Sequence, residues 1–186
     1  MTEGTNPEDL MPMDPRPDED AWEAYIDFTL KLLGADGSNA VPNSTVTTLE
    51  AALGHPLPFE LAILLLIGVP NGDDWHQWGD DPAAELADWQ DTLANELSAV
   101  HGATVKDRLA AASPMIPIYR GFAMPVEQAE GDGSPDANPV FAIEQGRVRV
   151  AANDIAAWLH LVFDAPLPWW PDAPDKHVAV WTDLIG

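Results

Sequence analysis

The hydrophobic period of the chain switches from helical to strand-like at Pro114 and back again near Asn153, and this constrains the fold more than any other feature. Before Pro114, apolar residues recur at spacings of three and four. Trp22, Tyr25, Ile26, Leu30 and Leu33 form one such series, closed by Gly34, and Leu86, Trp89, Leu93, Leu97 and Val100 form another. That spacing puts side chains on one side of a helix. After Pro114 come four short runs: residues 115–119 (MIPIY), 122–126 (FAMPV), 140–144 (VFAIE) and 147–151 (RVRVA). Apolar runs of this length bounded by turn residues read as strands, with the connection at 130–139 turn-rich and the Gln145-Gly146 pair suited to a tight hairpin. Ile155, Trp158, Leu159, Val162 and Phe163 return to helical spacing behind Asn153, which can cap them. The expected class is α+β: N-terminal helices, an antiparallel sheet of about four or more strands and a closing C-terminal helix.

Helix boundaries follow from the punctuation. Asp18 or Asp20 can cap the first helix. Thr47 and Glu50 form a possible capping box for a short helix ended by Gly54, and Pro58 suits the first residue of the next, which runs over 59–67 to Gly68. Nearly every residue there is apolar, so that helix should lie inside. The apolar run at 61–69 is far short of the roughly 20 residues of a membrane helix. After a turn at 68–72, Asp81 and Pro82 start the acidic helix. Leu49, Leu53, Leu57, Leu61, Leu64 and Leu65 are expected in the core with Trp89, Val140, Phe141 and Trp158, and Trp22 is expected to be structural too.

These signals divide the chain into a tail at 1–17, one domain at 18–165, and an extension at 166–186 packed on it. The tail has four prolines and few large apolar groups, so ordering it would bury too little to offset the entropy cost. The extension opens as a Pro-rich stretch and can finish as a short docked helix. Trp169 and Trp170, between Pro168 and Pro171, cannot both point inward from an extended segment, so one is expected at the surface.

Charge narrows the choice of partners. The chain has 31 acidic against 8 basic residues, a formal net charge of -23. Nucleic acid and anionic membrane are poor partners, because phosphate binding needs clustered Lys and Arg. No Lys or Arg occurs between Lys31 and Lys106, while Asp73, Asp74, Asp80, Asp81, Glu85, Asp88, Asp91 and Glu96 crowd one stretch. This stretch is either a solvated acidic face, as part of a general acidic bias, or a docking surface for a basic protein. On the second reading the partner-binding residues are Asp73, Asp74, Trp75, Trp78, Asp80, Asp81, Asp88 and Asp91, the carboxylates steering and the tryptophans anchoring, with a buried structural role the rival and favoured expectation for Trp75. Cysteine is absent, which removes disulfides and thiolate nucleophiles and suits a reducing cytosol. The N-terminus has no positive region followed by an apolar stretch, so a secretory signal is not expected and a cytoplasmic home is.

Catalytic signals are weak. Ser38, Ser44, Ser98, Ser113 and Ser134 all lie outside a G-x-S-x-G elbow. There is no phosphate-binding loop, and Gly131 and Gly133 have acidic neighbours that would repel phosphate. His76 lies near Asp73, Asp74, Asp80 and Asp81, but the spacing matches no metal-ligand frame. Asp88 and Asp91 pair on a helix with no cleft predicted to separate their pKa values. His160 reads as a hydrogen-bonded residue at the core edge. No catalytic, cofactor or metal residue is expected; an enzyme assembled from scattered acids is the alternative from another class.

The order of motifs carries a resemblance. LEAALGHPLPFELAILLLIGVPNG resembles the opening of the SUKH superfamily: a short helix, a Leu-Pro step, an apolar helix and an Asn-Gly turn. DDWHQWGDDPAAELADWQ, PMIPIYRGFAMPV and NPVFAIEQGRVRVAANDIAAWLHLVF are similar to the Trp-rich turn, acidic helix, paired strands and closing helix of bacterial members. The likeness spans about 45–163. Where relatives often carry a His-Arg pair and a His-Gln-Thr-Asp turn, this chain has Arg120-Gly121-Phe122 and Glu144-Gln145-Gly146-Arg147. The resemblance implies an α+β fold with no enzymatic site. It also implies an immunity role, neutralising a polymorphic toxin by binding it; fungal relatives regulate cell-wall synthesis through protein contacts. A regulator or scaffold is therefore the alternative within the binding class. From its composition, removing 1–17 should leave the thermal midpoint of the rest unchanged; a large drop in a melt of the chain starting at Asp18 would show that the tail is a structural strap.

Overall fold

The computed structural model describes residues 19–126, 138–168, 175 and 177–185. The tail, the Asp18 cap, most of the 130–139 connection, and Trp169 and Trp170 lie outside the described residues. The fold is α+β, in the order α1 (Glu19–Leu32), α2 (Asn43–Leu53), α3 (Phe59–Ile67), α4 (Pro82–His101), α5 (Val105–Leu109), β1 (Met115–Tyr119), β2 (Phe122–Pro125), β3 (Val140–Glu144), β4 (Arg147–Ala152), α6 (Ile155–Phe163) and a closing 3-10 turn (Thr182–Leu184).

Three helix starts differ from expectation, the simplest being α3, where Pro58 is the cap and Phe59 the first helical residue. α2 begins at Asn43, because the apolar stripe that packs is Val46, Leu49 and Leu53, and this needs a turn upstream of Thr47. Thr47 is therefore inside the helix, and the Glu50 carboxylate accepts the Leu57 N–H at 3.0 Å, bracing the α2–α3 turn. α2 does end at Gly54, in the left-handed conformation at φ 74°. At α6 the cap is Asp154, one residue after Asn153: its Oδ1 accepts the Ala157 N–H at 2.7 Å, while Asn153 donates to Asp175 at 2.9 Å. The α4 start is as expected, with Asp81 accepting the Ala84 N–H at 3.1 Å and Pro82 in the first turn.

The four strands form an antiparallel meander, β1-β2-β3-β4. Gln145 and Gly146 both have positive φ, 53° and 73°, which matches the twist of a two-residue hairpin. Alternate residues enter two cores. Ile116, Ile118, Met124 and Val140 face Ile26, Leu30, Leu49, Leu61, Leu64 and Trp158 of α1, α2, α3 and α6. Met115, Ala123, Phe141, Ile143 and Val148 face Leu93 and Leu97 of α4, Val105 of α5 and the C-terminal Val178, Trp181 and Leu184. A sheet covered on both faces needs apolar residues on both, which is why β1, β2 and β3 read as continuous runs, whereas the edge strand β4 alternates, with Arg147 and Arg149 exposed.

Both sheet edges carry a short cover. Trp75 bridges Tyr119 on the β1 side, and Ile185 bridges Val148 on the β4 side. Pro117 sits on the edge strand, where a missing N–H costs the ladder least. The C-terminal turn is pinned by Trp181, whose indole N–H donates to Ser113 O at 2.7 Å. α3 is largely buried, with Leu66 exposed near its end, and its one charged residue, Glu60, is buried in the first turn, at the positive end of the helix dipole. Among the described residues no helix is long and apolar enough to cross a membrane.

The leucines expected in the core, with Val140, Phe141, Trp22 and Trp158, are buried. Trp89 is only partly buried and Val100 is 51% exposed. α4 outruns the sheet, so its last turn leans on the β3–β4 hairpin instead: a Cβ added at Gly146 would lie 2.5 Å from Val100, and His101 Nε2 lies 2.9 Å from Gly146 O. α5 had no counterpart in the hydrophobic pattern, since five residues are too few to show a period. Leu64 has no solvent exposure. Leu64→Ala should cost about 2 to 5 kcal/mol in a denaturant melt, and a loss near zero would remove α3 from the core.

Candidate functional site

The loop between α3 and α4 carries most of the acidic and aromatic candidates, and its path is set at both ends. α3 must stop at Gly68, which has φ 98° and whose added Cβ would lie 2.6 Å from the Ala40 backbone nitrogen. Asn71 then ties the loop to the segment before α2. Its Oδ1 accepts from Asn39 Nδ2 at 2.9 Å and Ser38 Oγ at 3.3 Å, and Asn39 also donates to Val69 O at 3.3 Å. At the far end, Gly79 N–H donates to the Glu85 carboxylate at 3.0 Å.

Between these anchors, the chain runs along the open edge of β1. Arg120 N–H donates to Asp74 O at 2.7 Å and His76 N–H to Ile118 O at 2.9 Å, one on each side of Trp75. Trp75 is only 6% exposed and turns inward. Its ring stacks on Phe163 at 5.3 Å and meets Tyr119 and Trp158 edge-on at 5.0 and 5.9 Å. Asp74 points the other way and pairs with Arg120 at 2.6 Å. The hydrogen bond from Arg120, helped by its charge, holds the Asp74 carboxyl below the usual carboxylate range. Arg120 opens the β1–β2 turn with φ 45°, and its guanidinium lies 5.4 Å from the Tyr119 ring centroid.

Two grooves flank the loop. One, of about 680 Å³, is lined by Asn71, Asp73, Asp74, Trp75, Trp89 and Arg120 among others; the second, of about 440 Å³, by Val41, Thr45, Leu65, Val69, Trp78 and Asp80 among others. They share Asn39, His76 and Gln77. The His76 ring meets Trp78 at 4.3 Å and 67°. Burial pushes its pKa below the usual imidazole value, against the opposing pull of Glu85.

The expected partner-binding residues are therefore divided. Asp73, Asp80, Asp88 and Asp91 are exposed and make no ion pair among the described residues. Asp74 is neutralised by Arg120, and Asp81 caps α4. Trp75 belongs to the core, where it is unavailable as a surface anchor, and Trp78 is half-buried. Asp91 lies apart from the loop and lines a third groove, of about 540 Å³, with Lys106, Asn95 and Trp181. Arg120 and Asn39 were missed. Arg120 is recognisable in the sequence only as one half of the turn pair Arg120-Gly121, and Asn39 lies in a loop more than thirty residues away from the one it ties.

Among the described residues no group of three His, Asp or Glu side chains could hold a metal ion. His160 is hydrogen-bonded at the core edge as expected, its Nδ1 2.7 Å from Ala165 O. Comparison with protein-family models, with curated proteins and with solved structures found no match to the chain. Trp75→Ala should destabilise the fold by about 3 to 5 kcal/mol, as for a core aromatic. Asp73→Asn should stay within about 0.5 kcal/mol, as for an exposed polar position. Equal melts for the two variants would show that Trp75 does not hold the loop.

Proposed function

We propose that this chain is a non-enzymatic binding module of the immunity type, which neutralises a toxin domain by presenting an acidic surface to a basic partner in the cytoplasm. The observation that carries this reading is the set of exposed, unpaired carboxylates at Asp73, Asp80, Asp88 and Asp91, on a loop and helix held rigidly from beneath. Trp75 in the core, the Glu85–Gly79 contact and the Asp81 cap fix the backbone that displays them. Of the cations near these acids, Arg120 is engaged by Asp74 and Lys106 donates to Asn95 at 2.7 Å. The motif order shared with SUKH proteins supports the immunity label.

Such a surface works first by long-range attraction. Opposite charges raise the encounter rate and are screened by salt, whereas groups desolvated at the centre of an interface govern dissociation. Against a nuclease-type toxin, the carboxylates would stand where substrate phosphates bind. A partner encoded by the adjacent gene would support immunity over a regulatory or scaffold role. With that partner in hand, replacing Asp73, Asp80, Asp88 and Asp91 together by Asn should slow association about tenfold at low ionic strength and flatten its salt dependence between about 0.02 and 0.5 M. Unchanged rates and salt slope would reduce this face to a solvated surface.

A further inference from the structure

The histidines differ in what protonation would ask of them. His101 Nε2 lies 2.9 Å from Gly146 O, His160 Nδ1 2.7 Å from Ala165 O, and His177 Nε2 3.2 Å from Asp183 Oδ1. Each of those nitrogens has an oxygen to receive its N–H. His76 is different: its Nε2 is enclosed and meets no hydrogen-bond partner among the described residues. A neutral imidazole tolerates this arrangement by carrying its proton on Nδ1 and leaving a bare lone pair at Nε2. An imidazolium has N–H on both nitrogens, so protonation would enclose a charged donor with no acceptor.

The surroundings offer little relief. The segment before α2 contributes Ser38, Asn39 and Val41 to the adjoining grooves, the first turn of α2 contributes Thr45, and Leu65 and Val69 lie on the α3 side; none titrates. On the loop itself, Asp73 and Asp74 line one groove and Asp80 the other, with Asp74 held by Arg120 and near the Tyr119 hydroxyl. From α4, Glu85 favours the protonated ring, but its carboxylate already accepts the Gly79 N–H. The His76 backbone N–H, donating to Ile118 O, is one of the two backbone hydrogen bonds that fasten the loop along the β1 edge.

We propose that His76 is a pH-sensitive latch: protonation drives its ring out of the groove wall and makes the backbone of 74–76, between the flanking acids, open more often from the edge of β1. The switch stands on the loop alone. If the docking role above also holds, mild acid would reshape the surface that the partner reads. The direction follows from linkage. The closed loop disfavours the charged ring, so the open form binds more protons. Closure is fully stable above the ordinary imidazole value of about 6.5 and weakens as the pH falls below it, by at most about tenfold per pH unit. Carboxylates of ordinary pKa stay largely ionised in this window.

The test uses the full chain without any partner, so its failure would leave the binding reading untouched. NMR would follow the His76 ring from about pH 7.5 to 5, together with protection of the His76 and Arg120 amides against hydrogen exchange, corrected for the intrinsic rate. The ring should remain neutral below the ordinary histidine range. Protection of both amides should fall by up to about tenfold per pH unit, while that of Ile143, which donates to Gly121 O inside the sheet, holds. His76→Gln and His76→Phe should each abolish the pH dependence. A ring titrating at the ordinary value with flat protection would overturn the latch, as would a parallel loss of protection in both variants. Should neither variant fold, the wild-type titration and protection profile decide the matter.

Discussion

Packing around Trp158 holds the acidic loop, the β1–β2 hairpin and α6 together. The indole is fully buried, and Trp75, Tyr119, Phe122 and Phe163 meet it edge-on at 5.7 to 6.2 Å. Those five rings come from the acidic loop, the β1–β2 hairpin and α6, segments far apart in sequence. Edge-on contacts place the positive rim of one ring against the negative face of another, so they fix orientation as well as burying area. The loop takes its shape from this cluster: with Trp75 seated, the backbone on either side reaches the β1 edge, and Asp74 is delivered to Arg120.

A chain with a net charge of -23 must also limit its own repulsion. Two of its carboxylates do so at helix starts, where Asp81 and Asp154 accept backbone N–H groups and face the positive end of the helix dipole. Glu85 and Glu50 accept backbone N–H groups in the turns beside their helices. The acids left unpaired on the loop and on α4 are those whose charge projects into solvent, where attraction for a basic partner can act over a Debye length. Rigidity and charge are thus supplied by different residues of one segment. The enclosed His76 sits where they meet, at the junction of the two grooves.

Much of the fold was legible because it rests on local rules. Helical spacing marks α1, α4 and α6, Pro58 and Gly68 bracket the apolar run of α3, and the Gln145-Gly146 pair marks the β3–β4 hairpin, since all depend on near neighbours. The misplaced caps show the limit of such reading. Asn153 and Asp154 are equally good cap residues, and only the docking of Ile155 and Trp158 decides which stands first. Val100 fits the stripe of α4, yet the helix is longer than the sheet it covers.

The sequence by itself determined the α+β order, the strand segments, the buried leucines of α2 and α3, and the acidity of the 73–91 stretch, because periodicity, turn chemistry and charge belong to the chain. Only the tertiary structure decided which of those acids are free. Asp74 is silenced by Arg120 from a hairpin 46 residues away, Trp75 is drawn inward by rings on α6 and β1, and Asn39 ties the loop from before α2. The role of His76 was decided in the same way, since the enclosure of its Nε2 depends on how α3, α4 and the loop close around it, and no pattern along the chain encodes that distance.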